Sequence, residues 1–189
     1  MTTFTHFDGR FFTADDFDAF AENNLTLGTW RPQFIVLHNT GTPNISQRPH
    51  GYTDQTIANL RDFYTNTNHW HGGPHLIVDQ NGIWILNDLR YKGVHSPSWN
   101  ALSWGVEMLG DFDHDDPKSG TGAVIVEHSV RALAALYSAA GIDSHTLKFH
   151  REDPLTTHYC PGHKFVAGDK EALIGRIHNR IVELHAGGH

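Results

Sequence analysis

The sequence predicts a single α/β domain whose mixed central β-sheet is flanked by helices. Three observations carry that prediction. Apolar runs of strand length alternate along the chain with segments of helical periodicity, the pattern of a sheet covered by helices. Two of the apolar runs flank Asn81-Gly82, a dipeptide that tolerates the positive φ of a tight turn, so they form a hairpin. The chain has 189 residues, 39% of them hydrophobic, with five Trp and eleven Phe, which suits one folded domain with its own core.

The elements follow in order. In "TADDFDAFAEN", Thr13 caps a short helix, with Asp16 three residues on and Phe17 and Phe20 at helical spacing; it belongs to an N-terminal extension of about residues 1–30. "FIVLH", 34–38, is an apolar β-branched strand that can be buried on both faces, and it ends in the turn-rich "NTGTPN". Thr53 caps an amphipathic helix in "TDQTIANLRDFYTN", whose apolar face carries Ile57, Leu60, Phe63 and Tyr64. The hairpin is "PHLIVDQNGIWIL". "LSWGVEML", 102–109, is a further strand with Glu107 inside it, and "GDFDHDDPKSGTG", 110–122, reads as an exposed insertion. "VEHSVRALAALYSAAG", 126–141, is a helix closed by a C-cap glycine; "LKFH", 147–150, is a short strand; 169–185 is a final amphipathic helix. No repeat, low-complexity tract or linker divides residues 1–189.

Composition excludes several functions. A net charge of −7 with neutral histidines gives no general attraction to nucleic acid or to an anionic membrane surface. A single cysteine forms no internal disulfide, so the fold does not depend on an oxidising compartment. The N-terminus has acidic residues where a secretory signal is apolar, and the expectation is a protein made in the cytoplasm without its own export signal or stable membrane association. Of the sixteen histidines, His178, His185 and His189 fall on a polar helix and its tail and read as solvated.

Three residues line up as a candidate metal site: His38 and His150 each end an apolar strand, and Cys160 lies in the loop after the second. Two imidazoles and a thiolate are a zinc set that leaves a fourth position for water. On spacing alone, a small buried thiol among ordinary histidines explains the pattern as simply, since His-x9-Cys is no short metal signature. Glu107 is open in the same way. On periodicity it faces solvent; beside a metal-bound water it would be a general base.

The ordered motifs "FIVLHNTGTPN", "PHLIVDQNGIWI", "GVHSPSWNALSWGVEMLG" and "KFHREDPLTTHYCPG" resemble the zinc-dependent N-acetylmuramoyl-L-alanine amidases of the type-2 family, which includes phage endolysins and peptidoglycan recognition proteins. The resemblance covers about residues 34–165. It implies that His38, His150 and Cys160 hold Zn²⁺ at the strand ends, Cys160 matching a position that is Cys in many phage members and Asp in cytoplasmic muropeptide amidases. It implies that Glu107 is the general base and that His95 and Asn100 of "VHSPSWN" line the substrate groove. Two positions depart from the pattern. Pro74 replaces a tyrosine that helps polarise the reacting carbonyl, and His158 stands where many relatives carry an oxyanion-stabilising lysine or threonine. The implied substrate is peptidoglycan or a muropeptide, with no organic cofactor. The implied protein is an endolysin acting on the cell wall; the rivals are a cytoplasmic recycling amidase and a non-catalytic peptidoglycan-binding protein.

Overall fold

The computed structural model describes residues 3–165 and 167–187. Among them the sheet has the order β1-β4-β3-β5-β2-β6, built from β1 (Phe11–Phe12), β2 (Phe34–Asn39), β3 (Leu76–Val78), β4 (Ile83–Ile85), β5 (Ser103–Met108) and β6 (Lys148–Phe149). β2 runs parallel to β5 and β6, β5 runs parallel to β3, and the β3–β4 and β4–β1 pairs are antiparallel. The sheet is therefore mixed, as expected. Its central strands are buried along nearly their whole length, which is why they read as continuous apolar runs rather than alternating ones.

Among the described residues four α-helices flank it: α1 (Ala14–Asn23), α2 (Asp54–Asp62), α3 (Gly120–Ala140) and α4 (Ala167–Gly187). The side chains of Thr13 and Thr53 accept the N–H groups of Asp16 and Thr56, so both expected caps form. α3 packs against α1 and α4. Asp18 on α1 ties the three together, since its carboxylate pairs with Arg131 of α3 and Arg180 of α4. His178 and His185 are exposed on α4, while His189 lies outside the described residues. No helix among the described residues is long and apolar enough to cross a membrane.

The structure corrects the sequence reading in four places. The hairpin forms, but four residues separate Val78 from Ile83; Asp79 Oδ1 accepts the N–H groups of Asn81 and Gly82, and only Gly82 takes a positive φ, +155°. β1 was missed because two residues are too few to show a period. α2 ends in a π-helical turn, Phe63–Thr67, whose extra residue rotates the following face. Tyr64 stays buried, whereas Phe63, expected on the apolar face, is 47% exposed. Finally, 110–122 is exposed over most of 113–120, as expected, but it is anchored at Phe112 and its last residues are helical. Phe112 is fully buried and packs edge-on against Phe165 at 5.3 Å, and α3 begins at Gly120, where "GTG" has too little helical propensity to show the helix start.

Candidate metal centre and its cleft

Strand pairing builds the site. β2 and β5 pair with His38 opposite Glu107, which sets both side chains on the same face at the carboxyl ends of parallel strands. β6 lies on the other side of β2 and ends at Phe149, so His150 emerges beside His38, with ring centroids 4.4 Å apart. The loop after it folds back because Arg151 holds both of its ends: its N–H donates to Cys160 O (2.9 Å) and its guanidinium donates to Gly162 O (3.2 Å) and Phe165 O (2.5 Å). Cys160 Sγ then accepts the Asn39 N–H at 3.3 Å. One donor atom each from His38, His150 and Cys160 all lie within 4.8 Å of one another.

The electrostatics suit a cation. Burial holds the His38 imidazole well below its usual range, with His95 and His150 adding to it, and burial also lowers His150. Both rings therefore keep bare nitrogens at neutral pH. Burial pushes the Cys160 thiol up to about 12 and the Glu107 carboxyl up to about 7. His150 Nε2 is buried without a hydrogen-bond partner among the described residues. An unsatisfied ring nitrogen, a second neutral imidazole and a sulfur with an amide N–H aimed at it fit zinc, which takes nitrogen and sulfur at about 2.0–2.3 Å and leaves one position open.

The three residues and Glu107 line a cleft of about 360 Å³, whose walls include Tyr64, Trp70, Pro74, Asp111 and Tyr159. A second lobe of similar volume, about 360 Å³, shares Trp70, Val94, His95, His150 and His158 with it and continues past Leu155 and Asn100. Together they make a groove with the donor cluster at one side. A larger cavity of about 640 Å³ lies elsewhere, by α1 and Asp88–Arg90. Four of its charges are spent on the Asp8–Arg10 and Asp88–Arg90 pairs, Asp16 accepts from the Thr13 hydroxyl, and the His/Cys/carboxylate donor cluster found among the described residues is not in it.

The other expected site residues fall as follows. His158 is exposed on the ridge between the lobes, its ring centroid 6.4 Å from that of His150. Asn100 borders the groove, but its Oδ1 accepts the backbone N–H groups of His95 (2.7 Å) and Ser96 (2.8 Å) and so shapes the loop. His95 turns both ring nitrogens inward, Nδ1 lying 3.1 Å from His38 Nε2 and Nε2 3.2 Å from Ser103 O. A substrate contact by either ring nitrogen would have to displace one of these partners. Sequence reasoning missed three residues. Tyr64, counted only as core, is stacked with Trp70 at 5.4 Å in the cleft wall, and burial raises its phenol well above the usual range, with Glu107 contributing. Trp70 follows His69, which has a φ of 57°, and no periodic signal marks it. Asp153 is buried between the two loops of the site, accepting from Ser96 Oγ (2.5 Å) and the Ser98 N–H (3.0 Å); burial opposes ionisation, yet these bonds hold its carboxyl down at about 2. Only its contacts, not its sequence context, reveal it.

A family profile described as N-acetylmuramoyl-L-alanine amidase matches residues 28–163. Peptidoglycan-recognition protein 2 of Holotrichia diomphalia is 24% identical over 89 residues, which is 46% of this chain and 46% of that protein, so the match spans less than half the relative's length. Among solved structures, the endolysin amidase LysCS from Clostridium intestinale URNW superposes with a TM-score of 0.59 at 23% identity, covering 80% of this chain and 92% of that one. Drosophila PGRP-LB superposes at 0.61 and 17% identity, covering 84% and 91%. A PGRP-LB variant has been solved in complex with tracheal cytotoxin. At these identities the superpositions establish a shared fold.

Proposed function

Since this chain belongs to the N-acetylmuramoyl-L-alanine amidase family, we propose that it is a zinc-dependent peptidoglycan hydrolase of the endolysin kind that cleaves the amide bond between N-acetylmuramic acid and L-alanine. The observation that carries the reading is the convergence of His38, His150 and Cys160 beside Glu107 in one groove. A zinc ion held by those three residues would supply Lewis acidity toward the scissile carbonyl and toward a water.

The chain's own groups do the rest. Glu107, kept from easy ionisation by burial, takes the proton of the attacking water and returns it to the leaving nitrogen of L-alanine; a carboxyl near 7 is suited to both transfers. His158 on the ridge donates a hydrogen bond to the developing oxyanion. With Pro74 at the expected tyrosine position, two other phenols line the cleft, the buried Tyr64 and the exposed Tyr159, and Tyr64, stacked on Trp70, is the one held in place for the carbonyl. The two-lobed groove gives glycan and stem peptide room on either side of the bond.

The full donor set favours an enzyme over a recognition protein that binds without cutting. Cys160 as third ligand favours an endolysin over a recycling amidase, by the resemblance already drawn. Mass spectrometry of products from purified sacculi and from a soluble muropeptide tests both points. Free L-alanine N-termini released from sacculi are expected. Cleavage of the muropeptide alone would assign the recycling role, and binding without products from the zinc-loaded protein would assign the non-catalytic one.

A further inference from the structure

We propose that His95 is a positioning residue for the metal centre: it fixes the tautomer of His38, leaving Nδ1 as the ligand atom. The inference rests on the zinc reading above. Ser103 O can only accept, so the His95 nitrogen 3.2 Å from it, Nε2, carries the proton. In the neutral ring Nδ1 is then bare. It lies 3.1 Å from His38 Nε2, which must therefore be the protonated nitrogen of His38 and the donor of that bond. His38 is left with its lone pair on Nδ1. One carbonyl on β5 thus sets the direction of a chain of two hydrogen bonds that ends at a ligand on β2. Outer partners of this kind fix the tautomer and ring orientation of ligating histidines.

The His95 ring is held in that role from three sides. It stands perpendicular to His38, with centroids 5.2 Å apart and an interplanar angle of 90°. Its backbone N–H is anchored by Asn100 Oδ1 at 2.7 Å. Beneath it lies Gly105, where a Cβ would fall 2.5 Å from His95 Cγ, so any larger residue pushes the ring off the strand. Gly105 is itself pinned, its N–H donating to the buried His75 Nδ1 at 3.0 Å and its carbonyl accepting the His75 N–H at 2.9 Å. An ordinary groove residue would not need both ring nitrogens engaged and a glycine floor.

Zinc affinity of the whole protein, measured by competition with a chromophoric chelator, tests the inference. His95→Phe keeps the ring volume but removes the acceptor, and should weaken zinc binding about 10–100-fold with all three ligands intact. His95→Gln offers an oxygen to His38 and an N–H to Ser103 and should recover most of that loss, which a merely space-filling role would not produce. Gly105→Ala should weaken binding by displacing the ring. In the zinc-loaded parent, ¹⁵N shifts of His38 should report a protonated Nε2 and a metal-bound Nδ1, a measurement that stands even if a variant does not fold. Parent affinity retained by a folded His95→Phe protein, or zinc found on His38 Nε2, overturns the inference while leaving the zinc centre in place. A parent that binds no zinc overturns both.

Discussion

Glu107→Gln should stabilise the metal-free protein, and the effect should depend on pH. Burial raises this carboxyl from 4.5 to about 7. That is a group whose folded pKa lies above its unfolded one, so its ionisation opposes folding. The penalty is absent well below pH 4.5, where both states are protonated. It grows as the unfolded chain ionises and is complete above about pH 7. At about 1.4 kcal/mol per pH unit the full penalty is about 3 kcal/mol. The side chain is partly open to the cleft, so screening by water reduces this to about 1.5–3 kcal/mol. Glutamine is nearly isosteric and never ionises. In chelator at pH 8 the variant should therefore melt roughly 3–10 °C above the parent, and at pH 4.5, where the unfolded carboxyl is only half ionised, the difference should nearly vanish. Adding zinc should shrink the difference, because a nearby dication offsets the buried negative charge in the parent alone. Thermal unfolding followed by circular dichroism at both pH values decides it. Equal stability at pH 8, or the same gain at both pH values, would refute the claim that Glu107 is held against ionisation.

The same Glu107→Gln variant should keep its zinc while losing roughly 10²–10⁴-fold in turnover on sacculi, the scale for a general base. Cys160→Ala should lower zinc content by elemental analysis, since two ligands remain, and Cys160→Asp should recover part of it by restoring an anionic donor. His158→Ala should cost roughly 10²–10³-fold in kcat at unchanged zinc occupancy, the scale for one oxyanion donor, with His158→Lys retaining most activity; parent kinetics in the alanine variant would make His158 an ordinary loop residue. Phe112→Ala should destabilise by about 3–5 kcal/mol in urea unfolding, because that side chain is fully buried; a change under about 1 kcal/mol would mean that Phe112 does not anchor the segment.

What was legible in the sequence was what local chemistry dictates. Caps at Thr13 and Thr53 and the apolar runs of β2 and β5 gave the sheet and its helices, because capping and burial act over a few residues. The set His38, His150 and Cys160 was open on spacing alone and pointed to a metal only through the family resemblance; in the structure one donor atom of each lies within 4.8 Å of the others. The rest depends on contacts between distant segments. The inward turn of His95 requires Ser103 and His38 at once, and the work of Asp153 requires the loop at Ser96 and Ser98. No spacing encodes either. The π-helical turn that exposes Phe63 and leaves Tyr64 on the cleft breaks the period on which the amphipathic reading relied.

The pairing of His38 with Glu107 makes the proposed metal centre a check on strand alignment. The two residues belong to strands brought together over a long stretch of chain, and their side chains meet on one face only in the register observed. A slip of one residue would send Glu107 to the opposite face and part base from ligand. A folding chain with misaligned strands would therefore not assemble the ligands and the base together, while one that has aligned them gains the ion's binding energy on top of its own. Capture of zinc during refolding would then report the moment at which β2 and β5 lock, and would selectively deepen the well of the catalytically competent register.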